Sequence, residues 1–193
     1  MKSTLFMSYA LGRIFSGTLC SAMGIIFVTW LVNTLGQQGI GIQEIAGTIA
    51  GLIVTIMFST KAVLDWAANR PYQLVIYYTI CMIVDITIVF TCQDLPWLIL
   101  GSSAFTSVGP TIFYEARAVM LNRVMASDKL TLFGNRLDII SIISVLAGSG
   151  LGMIIPVSLD AVGWISLTYM ILIIQVNLWQ IRELQKMPKL KLD

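Results

Sequence analysis

The sequence predicts an all-α, polytopic integral membrane protein with six transmembrane helices, and three observations lead to this prediction. The chain has 193 residues, of which 57% are hydrophobic and 11% are charged, whereas soluble domains have about 45–50% apolar and about 25% charged residues. The mean hydropathy is +0.86, so a globule would have too little polar surface to stay dissolved. Because a crossing helix needs about 20 residues, six helices fit this length as one domain, 1–193.

Long intervals without charge mark the predicted helices in chain order. The first follows Arg13 and ends in the glycine-rich turn Gly36–Gly41, and the second carries Lys61 near its end, where a long side chain reaches the headgroups. The third holds the carboxylate of Asp85, the fourth begins after Pro96, and the last two are uncharged. The predicted spans are 14–35, 45–64, 72–92, 97–114, 139–156 and 162–181, followed by a basic tail at 182–193.

The distribution of basic residues predicts the orientation of the chain. All 12 Lys and Arg residues flank the N-terminus, the second and fourth connections, or the C-terminal end. The other three connections carry only Glu44, Asp94 and Asp160. Since short loops rich in Lys and Arg stay on the cytoplasmic side, both termini are expected to be cytoplasmic.

Residue usage argues against several classes of function. The chain has no His, which is the commonest general base and metal ligand. Cys20, Cys81 and Cys92 lack the spacing of a metal site or a disulfide framework. We therefore expect no metal, no cofactor and no enzymatic activity. Orientation accounts for the basic residues, so no nucleic-acid partner is expected.

Asp85 lies near the centre of the third predicted span. An unpaired charge there costs several kcal/mol, so this side chain should be paired, protonated or in contact with water. Two interpretations follow. Asp85 either couples transport to protons or contacts a cationic substrate, or it forms a structural hydrogen bond between helices.

Charged residues also lie at one membrane level near the predicted cytoplasmic ends of the helices. Opposite charges in such a plane could form partly desolvated ion pairs that hold the inner side closed. The alternative is that they are ordinary interfacial side chains reaching the headgroups. The predicted inner-gate network comprises Arg13, Asp65, Arg70, Glu115 and Arg117.

Gly148, Gly150 and Gly152 alternate with Ser149 and Leu151 in the fifth predicted span. Glycine weakens a helix but allows a neighbouring backbone to come close. The group therefore predicts either tight helix packing or a hinge.

Three stretches of the chain are similar to one known family. The connection after its second span has the pattern G-x-x-x-D-R-x-G-R-R, which Asp65 and Arg70 match. Four positions depart from this pattern, namely Lys61, Trp66, Ala68 and Asn69. The other similar stretches are Leu11-Gly12-Arg13 with Ser16-Gly17 and Trp30-Leu31-Val32, and Tyr114-Glu115-Ala116-Arg117-Ala118 with Asp128-Lys129-Leu130 and Asn135. On these residues the chain resembles the major facilitator superfamily, in its bacterial drug and siderophore exporter branch, over nearly its whole length.

The resemblance implies one half of a transporter. A complete member has two halves of six spans, each built as 3+3, with the substrate between the halves at mid-membrane. The resemblance also implies an Asp65–Arg117 pair at an inner gate, a cavity lined by spans one, two, four and five, and a bacterial inner membrane as the location. Transport would then require a second six-helix unit, either a homodimer partner or a separate chain.

Two functions follow from this interpretation. The first is a half-size transporter that exports a small amphipathic compound. The alternative is a non-transporting membrane protein that uses the half-fold to bind a small molecule or peptide, such as a toxin or bacteriocin self-immunity protein or an accessory protein. A pseudogene-like fragment or one subunit of a split transporter is a third interpretation. All of them have the lipid bilayer as a partner.

Overall fold

The structure is a computed structural model that describes residues 3–58, 60–106 and 108–188, without the side chains of residues 54, 55, 57, 58, 61, 64 and 104–106. The described residues form helices and no strand. The helices are α1 (Ser3–Phe15), a π-helical turn (Ser16–Cys20), α2 (Ser21–Leu35), α3 (Gln37–Phe58), α4 (Lys61–Asn69), α5 (Pro71–Thr91), α6 (Pro96–Thr106), α7 (Val108–Asn122), α8 (Ser127–Ile154) and α9 (Leu159–Gln185).

The prediction of an all-helical membrane protein is confirmed for the described residues, but the prediction of six spans is wrong. Among the described residues, four helices are long and apolar enough to cross a membrane. They are Ser3–Leu35, which joins α1, the π-helical turn and α2, and then Pro71–Thr91, Ser127–Ile154 and Leu159–Gln185. These four correspond to the first, third, fifth and sixth predicted spans.

The described residues of the fourth predicted span, 97–114, lie in two helices on either side of residue 107, which lies outside the described part of the chain. α6 has 11 residues and α7 has 15, and each is shorter than the about 20 residues that a crossing needs.

The second predicted span, 45–64, also does not form one helix. α3 ends at Phe58 and α4 begins at Lys61. Residue 59 and the side chains of residues 54, 55, 57, 58, 61 and 64 lie outside the part that the structure describes. This range is therefore not among the four long apolar helices of the described residues.

Helix ends follow local backbone chemistry. α5 begins with Pro71, whose missing N–H costs nothing at that position. α2 ends at Gly36, which has a φ of 67°, a value that glycine adopts without steric cost. Before α9, the hydroxyl of Ser158 accepts a hydrogen bond from the backbone N–H of Ala161 at 3.1 Å. α1 and α8 extend into charged sequence beyond the predicted limits because hydropathy does not determine where backbone hydrogen bonding stops.

α9 lies at the centre of the helix packing. It contacts α1, the π-helical turn, α2, α5 and α7. Tyr169 and Ile173 of α9 are buried in one cluster with Tyr78 of α5. The same helices surround the cavity described next.

Candidate functional site

A cavity of about 770 Å³ opens between the packed helices, a volume within the usual range for small-molecule sites. Residues of α1, the π-helical turn, α2, α5, α7, α8 and α9 line it, with Ser103 of α6. The charged and tyrosine residues in its lining are Tyr9, Arg13, Tyr78, Asp85, Tyr114, Arg117 and Tyr169. A cavity with three charged side chains in an apolar chain is the strongest candidate for a functional site.

Three tyrosine hydroxyls meet in the wall of the cavity. The Tyr78 hydroxyl donates to the Tyr169 hydroxyl at 3.2 Å. The hydroxyls of Tyr114 and Tyr169 are also 3.2 Å apart. Because the three residues belong to α5, α7 and α9, this cluster links three helices and provides polar groups in an otherwise apolar wall.

Arg117 is held by aromatic rings and an amide. Its Nη1 donates to Oε1 of Gln180 at 2.6 Å, and Nε2 of Gln180 donates to the Ser8 carbonyl at 2.9 Å. The guanidinium carbon lies 4.9 Å from the ring centre of Tyr9 and 4.7 Å from that of Tyr114, within the range of cation–π attraction. Among the described residues Arg117 forms no ion pair.

Asp85 lines the same cavity from α5. Its Oδ1 accepts a hydrogen bond from the Ser102 hydroxyl at 3.1 Å. The carboxylate therefore has a polar partner and also reaches the cavity, so the geometry is compatible with both interpretations given to Asp85 above. Its role in coupling stays a prediction.

The five residues of the predicted inner-gate network do not lie together in the structure. Arg13 and Arg117 line the cavity, whereas Glu115 is exposed on α7. Arg70 lies over the ring of Trp66, 5.5 Å from its centre.

Asp65 is paired with Arg123, not with Arg117. Oδ1 of Asp65 accepts a hydrogen bond from Nη2 of Arg123. Nη1 of Arg123 also donates to Oδ1 of Asn69 at 3.2 Å. The pair implied by the resemblance is thus replaced by a contact with Arg123, which lies in the turn directly after α7. A gating role for these charges stays a prediction.

We expect Asp65 and Arg123 to be energetically coupled and Asp65 and Arg117 to be independent. The double-mutant cycle of Asp65→Asn and Arg123→Gln should give about 0.2–1 kcal/mol, a small value because both side chains are partly exposed. Thermal denaturation of the two single variants and the double variant measures the coupling. The cycle of Asp65→Asn with Arg117→Gln is the control. A larger coupling in that control would contradict the observed pairing.

Gly148 and Gly152 lie where two backbones come close. A Cβ at Gly148 would be 2.2 Å from the carbonyl oxygen of Thr18, and one at Gly152 would be 2.8 Å from that of Ala22. A Cβ at Gly150 would meet nothing within 4 Å. Two of the three glycines therefore lie at the contact of α8 with the first long helix, as tight packing requires.

The close contact at Gly148 coincides with the π-helical turn. Thr18 belongs to this turn, and Ser16 and Cys20 from the same turn line the cavity. Single π turns inside α-helices are rare and occur frequently at functional sites. The sequence pattern did not predict this π-helical turn.

A polar stripe on α9 was also missed. Ser166, Tyr169, Asn177 and Gln180 are all buried, and they recur at helical spacing with Ile173 between them. Polar residues repeated along one face of an apolar helix are a signal for a face turned into the bundle. This signal was available in the sequence.

Comparison of the chain with protein-family models, with curated proteins and with solved structures finds no match.

Proposed function

We propose that this membrane protein binds a small amphipathic compound in the cavity between its helices and exports it as one half of a facilitator-type transporter. The observation that carries the proposal is the cavity of about 770 Å³ with Asp85, Arg13 and Arg117 in its lining. Ionisable side chains inside membrane helices are costly to desolvate, and where they occur they face cavities and mark transport pathways. The resemblance to the major facilitator superfamily supports the same class of function.

A second unit completes the pathway in this proposal. Transporters of this class bind substrate between two repeats and expose the site to each side in turn. We therefore propose that the chain pairs with a second copy of itself, or with a separate chain of the same kind. A parallel two-fold dimer meets this need, because the two halves of the family are related by an axis along the membrane normal.

The proposed location is the inner membrane of a bacterium, with both ends in the cytoplasm. Basic residues near the ends of the chain support this orientation, because Lys and Arg close to membrane helices stay on the cytoplasmic side. They are Lys2, Arg182, Lys186, Lys189 and Lys191.

Flux of an amphipathic fluorescent dye across vesicles that contain the purified protein tests the proposal. We expect dye movement that Asp85→Asn reduces about tenfold or more, because the variant removes the acidic charge from the cavity. Asp128→Asn is the matched control, since Asp128 is exposed in the first turn of α8 and does not line the cavity. Absence of flux from a folded, dimeric sample would overturn the transport proposal.

The second candidate is a binding protein without transport, such as a self-immunity or accessory protein. The pairing of Asp65 with Arg123 favours it, because the resemblance implies an Asp65–Arg117 pair at the inner gate of an active transporter. Protection of cells from a toxic compound without any flux would support this candidate. The molecular mass of the protein in nanodiscs separates the two, since one copy cannot enclose a pathway between two halves.

A further inference from the structure

The acidic residue and the arginines in the cavity lining lie toward opposite ends of the cavity. On α5, Asp85 lies seven residues beyond Tyr78, which corresponds to about 10 Å along the helix. On α7, Arg117 lies three residues beyond Tyr114, about 4–5 Å along that helix. Tyr78 and Tyr114 lie at one level, because both hydroxyls contact the hydroxyl of Tyr169.

α5 and α7 run in opposite directions, and this places the two charges on opposite sides of the tyrosine cluster. A Cβ at Gly109 of α7 would contact Cys81 of α5 at 3.1 Å. Further along α7, the ring of Phe113 lies 6.0 Å from that of Tyr78. Residue numbers thus rise on α7 as they fall on α5. Asp85 and Arg117 are therefore about 15 Å apart along the bundle axis.

The arginine end carries two positive groups. Arg117 is held in position by Gln180 and by aromatic rings. Arg13 also lines the cavity, is exposed, and forms no side-chain hydrogen bond or ion pair with any described residue. Arg13 lies one helical turn beyond Tyr9, whose ring contacts Arg117. Two guanidinium groups without a carboxylate partner form a site for an anion.

The part of the cavity between the charged ends is uncharged. It is lined by the tyrosine cluster and by apolar side chains such as Met23, Met82 and Ile173. A ligand that fills this part gains from apolar contact and from aromatic rings without needing a charge there.

We propose that the cavity binds an elongated zwitterion. A cationic amine lies at Asp85, an anionic carboxylate lies at Arg13 and Arg117, and about 10–15 Å of uncharged structure separates the two charges. This inference rests on the proposed function, because it specifies the charge pattern of the amphipathic compound that the cavity takes up. A ligand with one charge forms only one of these two charged contacts and binds more weakly.

Calorimetric titration of the full chain in nanodiscs tests the charge pattern with one peptide in four forms. The probe is the tetrapeptide Ala-Phe-Phe-Ala, whose termini are roughly 13–14 Å apart when extended. The four forms are the free zwitterion, the N-acetyl form, the C-amide form and the form blocked at both ends. We expect the zwitterion to bind at least about tenfold more tightly than each singly blocked form, since each end contributes a charge-assisted hydrogen bond.

Variants assign each end of the ligand to its side chain. Asp85→Asn should remove the advantage of the free amine and leave the affinity for the N-acetyl form unchanged. Arg13→Gln and Arg117→Gln should each reduce the advantage of the free carboxylate. Arg13→Gln keeps the test valid if Arg117→Gln fails to fold, because Arg13 holds no other described side chain. The controls Asp128→Asn and Arg136→Gln change exposed residues outside the cavity lining and should alter nothing.

The outcomes separate this inference from the proposed function. Equal affinity for all four peptide forms, or no binding of any of them while dye flux still depends on Asp85, overturns the zwitterion and leaves transport standing. Binding that depends on both charges, without flux, supports the zwitterion and overturns transport. A preference for the C-amide form over the zwitterion overturns the anion site at the arginine end.

Discussion

Replacing Gly148 with alanine is expected to destabilise the helix bundle by about 1–3 kcal/mol, the usual cost of overpacking a tightly packed site. The added Cβ would lie 2.2 Å from the carbonyl oxygen and 2.8 Å from the Cα of Thr18. Both atoms belong to the backbone, so the clash can be relieved only by moving a helix. Thermal denaturation of the purified protein in detergent, followed by the helical circular dichroism signal, measures the effect.

Gly150→Ala is the matched control for this experiment. It changes the same residue type two positions away on α8, where a Cβ meets nothing within 4 Å. Alanine favours a helix over glycine by about 1 kcal/mol, so this variant should be as stable as the wild type or slightly more stable. Equal destabilisation by both substitutions would contradict the close approach of α8 to the π-helical turn.

Replacing Gln180 with leucine is expected to cost about 2–4 kcal/mol. Gln180 is completely buried, and it joins Arg117 on α7 to the Ser8 carbonyl on α1. Leucine has a similar size but accepts no hydrogen bond, so the partly buried guanidinium loses its only amide partner among the described residues. Leaving a charged group unsatisfied costs more than removing a neutral hydrogen bond.

Gln175→Leu on the same helix is the control for Gln180→Leu, because Gln175 is exposed. The free energy of unfolding of the Gln175→Leu variant should stay within about 0.5 kcal/mol of that of the wild type, as for most surface substitutions. If Gln180→Leu proves equally mild, Arg117 is not held by the amide and the arginine end of the cavity is not rigid.

Asp85 and Asp65 both contact a side chain of another helix or connection, but the sequence predicted these two contacts to different degrees. The prediction that Asp85 is paired, protonated or in contact with water followed from the cost of a charge in an apolar helix, and Ser102 donates a hydrogen bond to its carboxylate. The choice of Arg123 over Arg117 as the partner of Asp65 had no such local signal. These two arginines are six residues apart on the same connection, and only the packing of α4 against α7 selects between them.

For the glycines of α8, the sequence predicted the kind of contact, and only the packing of the helices decided which residues form it. Their small size in an apolar helix indicated a close approach, since each lacks the Cβ that would keep a neighbour away. Which glycine meets a backbone depends on the rotation of α8 about its axis. Gly148 and Gly152 are four residues apart and share the packed face, whereas Gly150 faces elsewhere.

Composition and local chemistry determined that the chain is helical, that it resides in a membrane, and roughly where the four candidate spans of the described residues lie, because hydropathy, proline and glycine act over one or two helical turns. The tertiary structure alone decided the cavity, the meeting of three tyrosines from three helices, and the separation of acid from arginine within the cavity. Such contacts join residues that lie 55 to 91 positions apart in the chain. They depend on how helices are rotated and placed against one another, and no local pattern of residues carries that information.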